Sequence, residues 1–136
     1  MITVKEAEHI LRNVKDDRSF KLHMGTSIRS LRELAEALDL MADRTFQHHV
    51  TETRNDFGTW VKDVLGDKEL ADTIQHLKNR ESILKEVDDR IDELDKRMAE
   101  SHITTKELMS MGAMDFVIGM IIGFIGGLVL AAMISL

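Results

Sequence analysis

The sequence predicts an all-α protein with a small helical head domain, a long coiled-coil-like helix and a single C-terminal transmembrane helix. Three observations lead to this fold class. Proline, the residue that a helix interior tolerates least, is absent from the 136 residues. Apolar side chains recur at helical spacing along most of the chain. The last stretch, residues 116–136, carries no ionisable side chain.

These patterns divide the chain into four parts. We expect a head domain over residues 1–75, a stalk helix over 76–101, a juxtamembrane hinge over 102–114 and the transmembrane helix over 115–136. The hinge is the part in which serine, threonine and glycine interrupt the apolar spacing. It separates the water-exposed helices from the apolar end of the chain.

Charge and residue usage exclude some partners and sites. The formal net charge of -6 comes from abundant charges of both signs, without the dense basic patch that neutralises phosphates. No nucleic-acid partner is therefore expected. Cysteine is absent, which excludes disulfides and zinc-thiolate sites. No cofactor is expected either, because no cofactor-binding motif occurs.

The apolar C-terminal stretch predicts a bilayer-spanning helix. At about 1.5 Å per residue, its length matches a hydrocarbon core of about 30 Å. The N-terminus has no secretory signal, so the expectation is a tail-anchored, single-pass protein of the cell membrane with a cytoplasmic N-terminal domain. Small residues recur every four positions in this stretch and predict close helix packing. They are Gly119, Gly123, Gly127, Ala131 and Ser135.

The stalk has the seven-residue spacing of a coiled coil. Its predicted core positions are Leu77, Leu84, Val87, Ile91, Leu94 and Met98. Arg90 and Asp95 fall at flanking positions, where parallel neighbouring helices exchange ion pairs. Two arrangements stay open at this point, because the same apolar face can pair between chains or pack on the head of its own chain.

The head is predicted to be a set of short amphipathic helices. Thr26 or Ser27 can cap a helix whose inner face carries leucines, and further helices follow it. Before it, residues 20–24 alternate and stop at Gly25, which indicates a short extended segment or a loop without an evident pairing partner. The predicted head core comprises Phe20, Leu31, Leu34, Phe46, Val50, Phe57, Trp60 and Val61.

One run of residues in the head resembles a prokaryotic domain family of unknown function. The likeness covers about residues 20–74. It rests on the pattern Phe46-x-x-His49-Val50, followed by Asn55-Asp56-Phe57-x-x-Trp60-Val61-x-Asp63-Val64-Leu65-Gly66-Asp67. The resemblance implies a shared module and transfers no activity, because the family has none established.

A weak metal-site candidate lies inside this pattern. His48, His49 and Glu52 have the spacing at which one helix presents ligands on one face. A third protein ligand would have to come from elsewhere, with His23 and Asp56 as candidates. The simpler interpretation is that His49 is a partly buried, hydrogen-bonded structural residue, and no metal is assigned on this spacing alone.

The sequence favours a protein without catalytic activity. It contains no phosphate-binding loop, nucleophile elbow or zinc-protease signature. The leading hypothesis is a self-associating cytoplasmic adaptor or scaffold, a dimer or trimer that binds the lipid bilayer and an unidentified protein partner. Two alternatives are a small pore-like membrane oligomer and a ligand or metal sensor whose head is coupled to the coiled coil.

Overall fold

The computed structural model describes residues 2–23 and 25–101. In chain order its elements are α1 (Val4–Leu11), a 3₁₀ turn (Asp16–Arg18), β1 (Phe20–Lys21), β2 (Ser27–Ile28), α2 (Leu31–Leu40), α3 (Asp43–His49), α4 (Asp56–Trp60), a π-helical turn (Val61–Leu65), α5 (Lys68–Ile74) and α6, residues 80–101. Most of the described chain is therefore helical, as the apolar spacing predicts.

Side-chain caps fix where five of these helices begin, and at α1 the cap Thr3 accepts the Glu6 N–H at 3.3 Å. The caps of α2, α4, α5 and α6 accept a backbone N–H from the third residue along, at 3.1, 3.1, 3.2 and 2.9 Å, and they are Ser30, Asn55, Asp67 and Asn79. The sequence predicted Thr26 or Ser27 as the cap of α2. That prediction is wrong because Ser27 belongs to a β-strand and α2 begins only after Ser30.

The all-α class needs correction, because the head contains a two-stranded antiparallel sheet. Phe20 pairs with Ile28 and Lys21 with Ser27. The connecting turn passes through Gly25 with a φ of 106°, a conformation that residues with a Cβ rarely adopt. The segment expected to lack a pairing partner therefore pairs with residues that the helix pattern had absorbed.

A single apolar core holds α1 to α5 and α6 together. Every predicted head-core residue lies in it, with Phe20 partly buried at its edge and the others buried. Ile83, Val87, Ile91 and Leu94 of α6 belong to the same cluster. Residues 1–98 accordingly form one compact unit, and residues 99–136 are assigned to another, of which 99–101 are described as helical.

The stalk residues thus pack on the head of their own chain. Val87 and Leu94 are fully buried and Ile91 nearly so, while Leu77, Leu84 and Met98 pack against the core from its edge. Ile83, which the heptad pattern omitted, is also fully buried. Pairing of this seam between chains stays a prediction, and the seam is occupied within the chain.

The predicted C-terminal transmembrane helix is corrected. In residues 2–23 and 25–101 no helix is long and apolar enough to cross a membrane. The longest, α6, carries charged side chains in every turn. The fold class is therefore mainly helical with one small sheet, and we withdraw the tail anchor and the single-pass cell-membrane location. The hinge 102–114, the span 115–136 and its packing residues Gly119, Gly123, Gly127, Ala131 and Ser135 lie outside the described residues.

Candidate functional site

His49 is a buried polar residue in the region that resembled a known family. It ends α3 and is 5% exposed. Its Nε2 accepts the backbone N–H of His23 at 2.9 Å, and its Nδ1 lies 3.2 Å from Oδ2 of Asp56. Because Nε2 accepts, the ring proton sits on Nδ1 and is donated to the carboxylate of Asp56. His49 is thus neutral in this arrangement and joins the hairpin to α4.

Aromatic rings surround the His49 imidazole. The Phe20 ring meets it edge-on at a centroid distance of 4.9 Å, and Phe57 lies at 5.4 Å. Phe20 also contacts Trp60 at 5.9 Å, and the Trp60 indole donates to the carbonyl of Arg18 at 3.0 Å. These rings exclude water from His49 and attach β1 to α3 and α4.

Burial lowers the pKa of His49 below its ordinary value. Desolvation of the charged imidazolium is the largest cause, and the hydrogen bond and negative charge of Asp56 act in the opposite direction. The positive fields of His48 and Arg54 also lower the pKa of His49. The neutral form required by the bond from His23 is therefore the favoured form near neutral pH.

Two further histidines lie at the surface beside this site. The rings of His23 and His48 stack at a centroid distance of 4.1 Å and an interplanar angle of 15°. His48 also contacts His49 edge-on at 5.0 Å. Arg54 pairs with Asp56 at 3.1 Å, on the carboxylate oxygen that His49 does not use. Three imidazoles and one ion pair therefore share a small volume.

The metal candidates do not converge as the helical spacing suggested. The helix ends at His49, because Val50 forms a β-bridge with Asn55, and Glu52 lies in the turn between them. Both nitrogens of His49 already have protein partners. Within residues 2–23 and 25–101, no three histidine or carboxylate side chains are placed to hold a metal ion. The interpretation of His49 as a hydrogen-bonded structural residue matches this geometry.

The pairing of His49 with Asp56 resembles a catalytic dyad only in composition. A general base needs an imidazole nitrogen that can reach a substrate proton. Here Nε2 is occupied by the backbone N–H of His23 and the ring is buried. The pair can support structure and respond to pH, but it presents no nitrogen to a substrate.

A groove runs between the hairpin and α2, and we call it the hairpin groove. It is walled by Leu22, His23 and Thr26 on one side and by Glu36, Ala37 and Leu40 on the other, and its volume is about 640 Å³. Ile28 forms a buried apolar floor, while Leu40 at the rim is 82% exposed. Leu40 is the one large apolar side chain classed as exposed in the described part of the chain. Sequence reasoning missed the groove because its hairpin wall was not predicted.

Acidic side chains line the α2 wall of the hairpin groove. Glu33 is engaged by Arg29, whose backbone N–H donates to it at 2.6 Å. Glu36 lines the groove without an ion pair to any described residue, and Asp39, next to Leu40, is likewise exposed and without one. The wall therefore presents negative charge beside apolar surface.

A buried ion pair forms a separate charged cluster. Arg90 of α6 donates to both carboxylate oxygens of Asp67, at 2.8 and 3.0 Å, and also contacts Glu93 at 2.6 Å and Glu69 at 3.1 Å. Burial disfavours the charged guanidinium, but the hydrogen bonds and charges of Asp67 and Glu93 outweigh it and raise the pKa of Arg90. Asp95, the predicted interchain partner of Arg90, instead binds Arg32 at 2.6 Å.

The cluster around Arg90 underlies a second pocket. This pocket has a volume of about 380 Å³ and is lined by α1 residues such as Lys5 and His9 together with Gly66 and Asp67. The charges at its base are already paired with one another. The arrangement serves to attach α6 to the start of α5.

Comparison with known proteins places the chain in a family. A sequence model described as a family of unknown function, DUF5752, matches residues 13–124, and the chain therefore belongs to that family. The resemblance to an uncharacterised domain is thus confirmed, over a longer stretch than the head residues that suggested it. A search of curated proteins and a search of solved structures each found no match.

Proposed function

We propose that this member of the DUF5752 family is a non-catalytic adaptor that receives an apolar side chain of a partner protein in the hairpin groove. The observation that carries the proposal is Leu40, 82% exposed at the rim of a groove with a buried apolar floor. A single exposed leucine is ordinary on a protein surface. A leucine at the rim of a preformed groove, by contrast, offers apolar surface whose burial favours association.

Charge indicates which kind of partner would fit. Glu36 and Asp39 stand beside Leu40 without ion pairs to the described chain. The guanidinium of Arg29, which also lines the groove, is paired with Glu33 and Asp16. Opposite charge across an interface accelerates association and selects the partner. The occupant is therefore proposed to be a segment with apolar anchor residues and flanking lysine or arginine.

Absence of catalysis is part of the proposal. The buried His49 has no nitrogen available to a substrate, and Arg90 is engaged by three carboxylates. The polar groups of each cluster are thus paired with one another inside the head. The groove offers shape and charge, which suits recognition of a partner.

Self-association of the adaptor stays a prediction. Val87 and Leu94, two positions of the expected interchain seam, are buried in the core of their own chain. A second copy would therefore have to use another surface while α6 remains packed on the head. The groove proposal requires no second copy.

A pair of synthetic amphipathic helices tests the groove. The probe is a fluorescein-labelled peptide of about 14 leucines and lysines with the leucines at helical spacing, and its match replaces every lysine by glutamate. Fluorescence anisotropy with the full-length chain is expected to show binding of the lysine peptide only. Leu40→Ala and Glu36→Lys are each expected to weaken it about tenfold, corresponding to the loss of one partly buried apolar contact or one charge pair.

A matched charge change controls for net charge. Asp72→Lys makes the same reversal on the exposed face of α5, outside the hairpin groove, and should leave binding of the lysine peptide within about twofold. Equal weakening by Glu36→Lys and Asp72→Lys would reduce the effect to overall charge. Unchanged binding by Leu40→Ala would remove the groove from the proposal.

A further inference from the structure

The hairpin wall of the groove is attached to the head through His49. Leu22, His23 and Thr26 line the groove from the turn that joins β1 to β2. Two hydrogen bonds of this turn, Leu22 N–H to the Thr26 carbonyl and Gly25 N–H to the Leu22 carbonyl, stay within it. Among the described residues, the bond from His23 N–H to Nε2 of His49 is the one hydrogen bond that joins the turn to α3.

This bond exists in one protonation state only. Neutral His49 with its proton on Nδ1 accepts from His23 and donates to Asp56. Protonation places a second N–H on Nε2, which then faces the N–H of His23 at a distance set for a hydrogen bond. Two donors repel, and a buried N–H without an acceptor costs free energy. The turn must then move away from α3 or leave both donors unpaired.

The groups around His49 determine how strongly the folded head disfavours protonation of its imidazole. Asp56 on α4 favours the charged imidazolium, whereas His48 on α3 and Arg54 in the following loop disfavour it, as does burial between Phe20 and Phe57. On the hairpin side, the His23 ring is the one titratable group among the described residues that contacts this cluster, and it stacks on the ring of His48. A charge on either stacked ring would repel a charge on His49 and push the turn outward.

We propose that His49 is a pH-sensitive latch. Neutral His49 holds the hairpin wall of the groove in place against α3, and protonated His49 releases it. The inference rests on the proposed function in one respect, because release matters for recognition only if the hairpin groove binds a partner. The latch itself is a property of the head. It adds pH-dependent regulation to the hairpin groove.

The protonation state of His49 can be observed in the unmodified full-length chain. A long-range ¹H–¹⁵N spectrum distinguishes bare from protonated ring nitrogens. At about pH 7.5 the expected result for His49 is a bare Nε2 and a protonated Nδ1, the state that the bond from His23 requires. A proton on Nε2 at that pH would overturn the latch without any variant having to fold.

Release of the turn is measured by hydrogen exchange of the His23 amide. Its protection factor, which removes the intrinsic pH dependence of exchange, is expected to fall by up to about tenfold between about pH 7.5 and about pH 5.5, the most that one histidine of ordinary pKa in the open state can produce. The Gly58 amide, bound to the cap Asn55, reports on unfolding of the head as a whole and is expected to stay better protected than the His23 amide at about pH 5.5. A constant His23 protection factor, or a His23 protection factor equal to that of Gly58 at about pH 5.5, would contradict local release.

Two histidine variants separate the latch from general titration. His49→Gln carries an acceptor and a donor that do not titrate, and the His23 amide is expected to stay protected at about pH 5.5 in that variant. His76→Gln removes an exposed histidine outside the latch and should leave the wild-type response intact. A response that persists in His49→Gln would assign it to the stacked rings of His23 and His48.

The lysine peptide then distinguishes failure of the latch from failure of the groove. Binding is expected to weaken at least about threefold from about pH 7.5 to about pH 5.5 in wild type and in His76→Gln, and to stay the same in His49→Gln. Wild-type binding that does not change with pH would overturn the regulatory role of the latch. Loss of His23 protection without any peptide binding would leave the latch standing and reject the groove as a binding site.

Discussion

Arg90 and Asp67 form a buried, doubly hydrogen-bonded ion pair, and it joins α6 to the cap of α5. Arg90 is 7% and Asp67 2% exposed, and the two donor distances are 2.8 and 3.0 Å. Asp67 also accepts the N–H of Leu70. The same carboxylate thus starts one helix and binds another, so the attachment of α6 and the start of α5 depend on each other.

Removing Arg90 should destabilise the head strongly. Arg90→Met leaves Asp67 as a buried charge without its partner, and the free energy of unfolding is expected to fall by about 3–5 kcal/mol. Urea unfolding followed by Trp60 fluorescence measures it. Arg32→Gln breaks the exposed pair of Arg32 with Asp95 and should cost less than about 1 kcal/mol. Similar losses in both variants would mean that Arg90 is not effectively buried.

A rescue variant separates charge from shape at this pair. Adding Asp67→Asn to Arg90→Met removes the buried charge and keeps a residue that caps helices well. The double variant is expected to recover at least about half of the stability lost by Arg90→Met. No recovery would place the loss in the packing of the arginine side chain.

Leu94 tests whether α6 belongs to the core of its own chain. Leu94→Ala removes a fully buried side chain and should lower the free energy of unfolding by about 2–5 kcal/mol. Because the contact is within one chain, the loss should be the same at low and high protein concentration. Leu40→Ala, at an exposed position, should change stability by less than about 0.5 kcal/mol. A loss that varies with concentration would instead support pairing of the stalk between chains.

The sequence predicted the parts of the fold that depend on local spacing. Leu31 and Leu34 repeat at helical intervals, and the head-core residues lie where their period places them. The stalk was found as a helix for the same reason. Its buried face extends beyond the predicted seam, however, because Ile83, beside Leu84 of the seven-residue pattern, is fully buried against the head. Only the shape of the head decides which edge of an apolar stripe becomes fully buried.

The parts that were missed depend on residues far apart in sequence. The hairpin has two residue pairs, and alternation indicated only its first strand, so the pairing with Ser27 and Ile28 across the Gly25 turn was missed. His49 receives its bond from His23, 26 residues away, and Arg90 meets Asp67, 23 residues away. Neither partner is visible from spacing. The expected ligand set failed at Glu52 for a local reason, since the helix assumed to carry it ends at His49.

Asn55 is expected to be the most sensitive uncharged polar residue in the head. It is fully buried, accepts the Gly58 N–H at 3.1 Å and donates to the Ile74 carbonyl at 2.8 Å, which ties the start of α4 to the end of α5. Asn55→Ala loses a cap and the hydrogen bond to the Ile74 carbonyl, which keeps the Leu77 N–H as a donor, for a total of about 2 kcal/mol. Asn79→Ala removes an exposed cap of α6 and should cost about 1 kcal/mol. Equal losses of stability in Asn55→Ala and Asn79→Ala, measured by thermal or urea unfolding, would contradict the role of Asn55 in joining α4 to α5.

The stability of the head should decrease in mildly acidic solution because of His49. Its pKa is lowered in the folded chain, chiefly by burial, whereas the unfolded chain has the ordinary histidine value of about 6.5. Below that pH the unfolded chain therefore binds a proton that the folded chain does not. The contribution of His49 to the free energy of unfolding is fully present above about pH 6.5. It decreases as the pH falls toward the lowered pKa of the folded chain, by at most about 1.4 kcal/mol per pH unit. Urea unfolding across this range measures the slope, which should flatten in His49→Gln and persist in His76→Gln, and an equal slope in both variants would exclude His49 as its source.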